Sequence, residues 1–243
     1  MSKQVKKIMV LKVRVIFSAL LSLYSIDSVA TKNTTEIANH SNHKVQEMPW
    51  KLWRSDDYFN VSYRIDGVKN LIEIKAQARL ESTLAGFLYF IEDLEMTPRW
   101  LDNAESAVII SEIASNEHIF KTRFKSLWPF SAREIVVYSR YWQNQDLSIE
   151  ISIEDYGDKV AKTDDAIRMQ VLNAHWKIIP TQPERITITH QFKVDPKGNI
   201  PQWLAKPMTL NSIWATLNNM REQLPKSKYQ QQIKTGIQEI QHN

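Results

Sequence analysis

The sequence contains no cysteine and only five glycines among its 243 residues. Without cysteine the chain can form no disulfide, offer no thiol nucleophile, build no thiolate metal site and carry no lipid on a lipobox cysteine. GxSxG, HExxH and glycine-rich phosphate-loop motifs are also missing. The six histidines are scattered without metal-ligand spacing. We therefore expect no metal site, no cofactor and none of the enzyme classes that these motifs define.

Positive charge is scarce outside the N-terminal segment. Five basic residues and one acidic residue lie within the first 30 positions: Lys3, Lys6, Lys7, Lys12, Arg14 and Asp27. This excess accounts for the whole net charge of +4, so the remainder of the chain is neutral. A nucleic-acid-binding domain carries its basic residues on the folded surface. No nucleic-acid partner is therefore expected.

The N-terminal segment has the features of a secretory signal peptide. A basic stretch precedes an apolar run from Val15 to Ile26, and Ser28 and Ala30 provide small residues before a cleavage site. The run has 12 residues, whereas a membrane span needs about 20. Residues 1–30 are therefore predicted to be removed, which leaves an exported protein, periplasmic or secreted. An uncleaved anchor is the alternative, and Met9 is an alternative start.

Residues 31–46 are polar and aperiodic, which indicates a linker. From residue 47 to 224 the sequence indicates one domain, in which apolar and polar residues alternate over eight stretches. The clearest stretch, "LSIEISIE", places isoleucine on one face and serine or glutamate on the other. Short links join most of these stretches, so a largely antiparallel sheet is expected.

Helical spacing of apolar residues occurs twice in this domain. Leu84, Phe87, Leu88 and Ile91 predict an amphipathic helix over Thr83–Glu95. A longer stripe predicts a helix that opens near Pro201 and runs to Leu224, with a kink or restart at Pro207. Residues 225–243 form a polar tail whose weaker stripe predicts a short extra helix. The fold class is thus α+β, with a curved antiparallel sheet covered by a long C-terminal helix.

Five short sequences in this order resemble the StAR-related lipid-transfer (START) domain: "PRWLDN" (98–103), "WPFSARE" (128–134), "IRMQ" (167–170), "HWKIIP" (175–180) and "VDPKGNIPQWL" (194–204). The resemblance implies a helix-grip fold, in which the C-terminal helix encloses a hydrophobic tunnel against the sheet. It further implies one bound sterol, phospholipid or other hydrophobic small molecule. A monomer with transient membrane contact is the expected form.

The start of the long helix is expected to act as the lid of this tunnel. Because a closed tunnel has no entry path, the C-terminal helix and its neighbouring loops must move to admit a ligand. Trp203, Leu204, Pro207 and Met208 are the expected hinge and lip, with an apolar edge suited to a membrane.

The sequence departs from the family at one pair of positions. In several lipid-carrying members an acidic residue before the "WP" turn pairs, inside the tunnel, with an arginine on the following strand. The corresponding positions here are Arg123 and Ser139. The ligand class therefore cannot be transferred from the family, and any recognition of a head group must be rearranged.

The alternation of apolar and polar residues predicts which side chains line the tunnel. His190 shares a face with Ile188 and Phe192 and either hydrogen-bonds a ligand hydroxyl or phosphate or is a satisfied core histidine. Glu112 and Arg140 either pair inside the cavity or lie on the solvated side of the sheet. The complete set of expected ligand-binding residues is Glu112, Tyr138, Arg140, His190, Phe192, Met208, Trp214 and Leu217.

Three functions remain open at this point. The first is a lipid carrier or sensor with no catalytic residues. The second is a helix-grip enzyme resembling a cyclase or hydrolase, which needs an acid–base pair such as His190 with Glu112. The third is an interaction protein whose cavity is filled by its own side chains.

Overall fold

The computed structural model describes residues 48–67, 69–127, 130–198 and 200–241. The predicted signal peptide and linker lie outside the described residues. Within them the strands are β1 (Lys51–Ser55), β2 (Phe59–Ile65), β3 (Ile72–Glu81), β4 (Ala104–Ala114), β5 (Glu117–Phe124), β6 (Arg133–Gln143), β7 (Ile149–Asp155), β8 (Ile167–Arg168), β9 (Gln170–Gln182) and β10 (Arg185–Asp195). The helices are α1 (Leu84–Glu92), α2 (Thr97–Trp100) and α3 (Gln202–Gln223).

The described strands form one sheet in the order β1-β2-β3-β10-β9-β7-β6-β5-β4. Every neighbouring pair in this order is antiparallel, and the two-residue β8 pairs parallel with β6. The predicted antiparallel sheet is confirmed. The short strands β1 and β8 add to the eight alternating stretches, because neither is long enough to display a period.

One face of the sheet carries the apolar core. In β3 the side chains of Ile74, Ala76 and Ala78 are almost fully buried, whereas the intervening Gln77 is exposed. Ile186 and Ile188 of the neighbouring β10 continue this face. Burial of a Val, Leu or Ile side chain contributes about 1.5–3 kcal/mol. A chain without disulfides depends on this face for its stability.

Helix α3 covers the core face and is one helix, as the fold class requires. Its buried side chains lie every three or four residues: Leu210, Ile213, Trp214, Leu217 and Met220. The expected restart at Pro207 is wrong, since the helix begins at Gln202 and continues through this proline; the alternative, a kink at Pro207, stays a prediction. Pro207 lies in the second turn, where its missing N–H removes a single hydrogen bond.

A tight turn delivers β10 into α3. Lys197 and Gly198 both adopt left-handed backbone conformations, with φ of 52° and 69°. Gly198 takes this conformation without the steric cost of a side chain. The Lys197 N–H donates to the Asp195 carboxylate (2.9 Å) and holds the turn. The strand therefore ends at the edge of the core face, and α3 starts back across it.

Helix α1 is held at its N-terminus by residues distant in sequence. Thr83 accepts a hydrogen bond from the Gly86 N–H as the N-cap. The Glu239 carboxylate accepts from the N–H groups of Leu84 (3.0 Å) and Ala85 (2.8 Å). A carboxylate is favourable here because the helix dipole is positive at this end.

The C-terminal tail packs against α1 and contains only a 3-10 turn, Leu224–Lys226, followed by turns. The predicted extra helix is therefore wrong for residues 225–241. Lys234 is 9% exposed, pairs with Glu92 at 2.6 Å and lies 4.1 Å from the ring centroid of Tyr89. These contacts order the segment without a helical hydrogen-bond ladder.

The opposite face of the sheet, here called the outer face, holds paired charges. Arg168 contacts the fully buried Glu134 at 2.6 Å, and Arg64 contacts Glu73 at 2.7 Å. Side-chain hydrogen bonds from Thr163 and Arg168 keep the pKa of Glu134 below its ordinary value against an opposing desolvation. Both carboxylates are therefore ionised and satisfied.

Among the helices in the described ranges, none is long and apolar enough to cross a membrane.

Candidate functional site

A cavity of about 970 Å³ lies between α3 and the core face of the sheet. Its walls come from side chains of β4, β5, β6, β7, β9 and β10, from α1 and α2, and from one side of α3. Most of the lining is apolar, as in Leu88, Ile135, Ile151 and Ile213. Small-molecule sites in proteins typically have volumes of about 300–1,000 Å³. The described side chains thus leave room for one sizeable hydrophobic molecule.

An aromatic stack forms part of the sheet wall. The His190 imidazole lies 3.9 Å from the ring centroid of Trp176 with an interplanar angle of 12°, and 4.7 Å from that of Phe192. Trp176 and His190 are cross-strand partners on β9 and β10, which places their rings face to face. His190 is thus stacked between Trp176 and Phe192, and all three residues line the cavity.

His190 is uncharged at neutral pH. Burial, together with a smaller contribution from the charge of His175, lowers its pKa from 6.5 to about 3. Neither imidazole nitrogen has a hydrogen-bond partner among the described residues, and the side chain lines the cavity. A neutral imidazole offers one donor and one acceptor. His190 is therefore suited to an uncharged polar group rather than to a phosphate.

A second polar region lies where α1 meets α2. Glu92, Thr97 and Trp100 all line the cavity there. Next to them Thr216 of α3 accepts a hydrogen bond from the Asp102 N–H at 3.1 Å. The C-terminal tail reaches this region through Lys234, which holds one oxygen of Glu92.

The loop end of the cavity carries three basic side chains and the Asp195 carboxylate. Lys69, Lys125 and Arg133 line it, together with Gly198 at the turn into α3. Arg133 donates to the carbonyls of Pro196 (3.2 Å) and Ser131 (3.0 Å) and pairs with no described carboxylate. Desolvation lowers the pKa of this guanidinium.

The model of the START domain family matches residues 31–231. The chain belongs to the START domain family. This START domain adopts the helix-grip fold, with the long C-terminal helix laid across a curved antiparallel sheet. The family match extends beyond the predicted domain, 47–224, at both ends, so those predicted boundaries stay predictions.

Solved structures share this fold at low sequence identity. A STAR-related lipid transfer protein from Xanthomonas axonopodis matches with a TM-score of 0.64 and 21% identity, over 72% of this chain and 98% of that chain. Human STARD10 matches with a TM-score of 0.60 and 19% identity, over 74% of this chain and 78% of that chain. At these identities the likeness shows the fold alone.

Two proteins are similar to this chain in sequence, at comparable levels of identity. An uncharacterised protein of Pseudomonas aeruginosa is 20% identical over 178 residues, covering 71% of this chain and 85% of the relative. START domain-containing protein 10 of Mus musculus is 22% identical over 183 residues, and the match covers 62% of its length.

Four of the expected ligand-binding residues line the cavity of this START domain: Glu112, His190, Phe192 and Met208. Glu112 lies on β4 and His190 on β10, and β9, β7, β6 and β5 lie between these two strands in the sheet order. Glu112 is exposed and lies opposite His118 in the β4–β5 hairpin. Their contact with a ligand stays a prediction.

The other four lie elsewhere. Tyr138 and Arg140 face the outer side of β6, where Glu117 accepts the Tyr138 hydroxyl at 2.8 Å and pairs with Arg140 at 3.3 Å. The expected Glu112–Arg140 pair is therefore not formed. Trp214 and Leu217 pack in the core beside the cavity, and Trp214 meets Phe59 edge to face at 5.5 Å.

The error in β6 has a clear origin. Val136 and Val137 are both almost fully buried, although only Val137 lines the cavity. An apolar pair does not reveal which parity faces the cavity. The lining parity is that of Ile135, Ser139 and Tyr141.

Sequence reasoning also missed Glu92, Thr97, Trp100 and Trp176 as wall residues. Trp176 belongs to the motif "HWKIIP" and lies at a position of its strand that faces the cavity. The alternation along that strand could have identified it. No metal-binding cluster of histidine and carboxylate groups occurs among the residues that the structure describes.

Proposed function

We propose that this START domain binds one lipid molecule in the cavity and carries it between membranes or senses it. The observation that carries the proposal is the apolar cavity of about 970 Å³ beneath α3. Each methylene group transferred from water into such a cavity contributes about 0.8 kcal/mol. Proteins of this family and the lipid transfer protein of Xanthomonas axonopodis support a lipid as the occupant.

Entry requires the start of α3 to move with the neighbouring loops. Trp203 in the first turn is 76% exposed, while Met208 one turn and a half further on lines the cavity. An exposed indole beside the cavity is suited to the membrane–water interface. Transient membrane contact at this end is part of the proposal. The monomeric state and the lack of a nucleic-acid partner stay predictions.

We further propose that the mature protein is exported. The basic and apolar segments of residues 1–26 support this location, and the family match begins directly after the predicted cleavage site at Ala30. Cleavage is checked by determining the N-terminal sequence of the protein isolated from its own cells.

A helix-grip enzyme is the alternative function, and the geometry supports it less than it supports a lipid carrier. The acid–base pair that it needs, His190 with Glu112, is separated by four strands, and His190 is stacked between two aromatic rings. A lipid carrier, by contrast, requires only the cavity and no pair of catalytic groups. Release of a changed product from the bound lipid would favour the enzyme.

Two serine variants test the proposal. Ser139 lines the cavity, whereas Ser152 lies on the outer face opposite Arg140. The mature wild-type protein should move a fluorescent phospholipid or sterol between vesicles. Ser139→Phe should reduce that rate at least tenfold by occupying cavity volume, with Ser152→Phe close to wild type. Equal rates for the two variants, or no lipid uptake by wild type, would refute the proposal.

A further inference from the structure

Three buried side-chain atoms in the described chain lack any hydrogen-bond partner: Glu92 Oε1, Thr97 Oγ1 and Trp100 Nε1. Glu92 is the last residue of α1, Thr97 and Trp100 belong to α2, and all three residues line the cavity. Thr97 is 3% exposed and Trp100 is 7% exposed. Buried polar groups are almost always paired, so such a concentration at a cavity wall needs an explanation.

The neighbouring polar groups are satisfied. Thr216 lines the same wall and is 3% exposed, and its hydroxyl accepts the Asp102 N–H. The second oxygen of Glu92 accepts from Lys234 at 2.6 Å, which balances the charge of the carboxylate. Local packing therefore provides partners in this region, and the three unpaired atoms are an exception within it.

The unpaired atoms define a pattern of donors and acceptors. The indole N–H of Trp100 can only donate, the carboxylate oxygen of Glu92 can only accept, and the Thr97 hydroxyl can do both. A partner that satisfies all three must both donate and accept. An anionic group would meet the Glu92 carboxylate at close range, which is unfavourable in a poorly solvated site.

We propose that this corner of the cavity recognises an uncharged hydroxyl group on the bound lipid. The inference rests on the proposed function and narrows its ligand class to a hydroxyl-bearing lipid with no charge at that group. His190 is neutral and has no hydrogen-bond partner among the described residues. The sheet wall is therefore also suited to an uncharged hydroxyl group. Because the three atoms are buried, the proposal requires that side-chain rotation exposes them to the bound hydroxyl.

The test compares three probes of equal chain length: 1-decanol, decyl methyl ether and decanoate. The ether can accept but not donate, and decanoate is charged. Isothermal titration calorimetry at pH 8 should show wild type binding decanol about tenfold more tightly than either of the others, a factor equal to about 1.4 kcal/mol. Equal binding of all three would overturn the inference.

Thr97→Val separates recognition from stability. It removes the unpaired hydroxyl with little change in shape, so affinity for decanol should fall about five- to tenfold. The melting temperature of the ligand-free protein should stay unchanged or rise, because no hydrogen bond within the protein is lost. Trp100→Phe removes a donor that decanol and the ether can both use, so it should weaken the binding of both and leave the preference between them unchanged.

Thr216→Val is the matched control on the same wall. It leaves the Asp102 N–H without its acceptor, so the melting temperature should fall while the preference for decanol persists. A fall for Thr97→Val as large as that for Thr216→Val would show a structural role and overturn the inference. So would unchanged affinity of Thr97→Val for decanol.

Failure of the hydroxyl assignment can be distinguished from failure of the proposed lipid binding. Vesicle lipid taken up by wild type, with no preference for decanol, overturns the hydroxyl assignment and leaves the lipid-binding proposal standing. No uptake of vesicle lipid and no binding of any decyl probe refutes both.

Discussion

The two faces of the sheet treat polar side chains in opposite ways. On the outer face the buried charges are paired, as in Arg168 with Glu134 and Arg64 with Glu73. On the cavity side Thr97, Trp100 and His190 have unpaired polar atoms, and Arg133 has no described carboxylate partner. The buried charges of the outer face are satisfied within the protein, while the named polar groups on the cavity side lack such partners among the described residues.

Arg133 and Glu134 show the contrast between consecutive residues of β6. Glu134 points outward and is held by Arg168 and Thr163. Arg133 points to the cavity and donates only to backbone carbonyls among the described residues. Alternation along a strand thus places a stabilising group and an available group side by side.

The largest effect should come from breaking an outer-face pair. Arg168→Met leaves the fully buried Glu134 carboxylate without its counter-charge. Loss of one partner of a buried pair costs about 3–5 kcal/mol of unfolding free energy. Urea denaturation measures it, and Glu134→Gln combined with Arg168→Met should recover part of the loss. A cost below about 1 kcal/mol would contradict this role, as it is the value of an exposed pair.

The cavity face should respond to pH through His190. Its folded pKa of about 3 lies below the ordinary 6.5, so the unfolded chain binds the proton first as pH falls. Stability should therefore decrease below about pH 6.5, by up to about 1.4 kcal/mol per pH unit. Glu134 and Glu73 stay ionised in this window, because their pKa values are lowered below 4.5.

The readout for His190 is urea denaturation between pH 7 and 5. His190→Phe should flatten the decrease, and His175→Gln on the outer face should leave most of it. An unchanged slope in His190→Phe would show that another group causes the pH dependence.

A smaller effect is expected at the tail. Glu239→Gln removes the charge at the N-terminus of α1, where the carboxylate accepts from Leu84 and Ala85. The expected cost is about 0.5–1 kcal/mol, and high salt should reduce it. Thermal unfolding at low and high salt measures both. A salt-independent cost would indicate lost packing rather than lost charge.

Substitution of Arg133 should change the free energy of unfolding least. Arg133→Gln removes a desolvated cation that has no described carboxylate partner, so stability should change by less than about 1 kcal/mol. Urea denaturation alongside Arg168→Gln compares the two arginines directly. Comparable losses would show that the two faces do not differ as described.

The sequence predicted the sheet and the long helix because each has a regular period that burial imposes. β3, β7 and β10 alternate cleanly, and the apolar spacing of α3 places its buried face correctly. The family motifs added the presence of a cavity, which periodicity alone does not determine.

The site was predicted only in part, for physical reasons. In β6 both faces are covered, so Val136 and Val137 give no parity signal. In β4 irregular pairing between Ile109 and Ser111 and again after Glu112 interrupts the alternation. The polar corner depends on hydrogen bonds that are not made, and no pattern of residue types reveals a missing partner.

The most direct measurement of the central claim is native mass spectrometry of the mature protein purified from its own cells, followed by extraction and identification of any lipid. The account predicts one lipid per chain, lost in Ser139→Phe and retained in Ser152→Phe. A protein that is empty as isolated and also takes up no lipid from vesicles would contradict it.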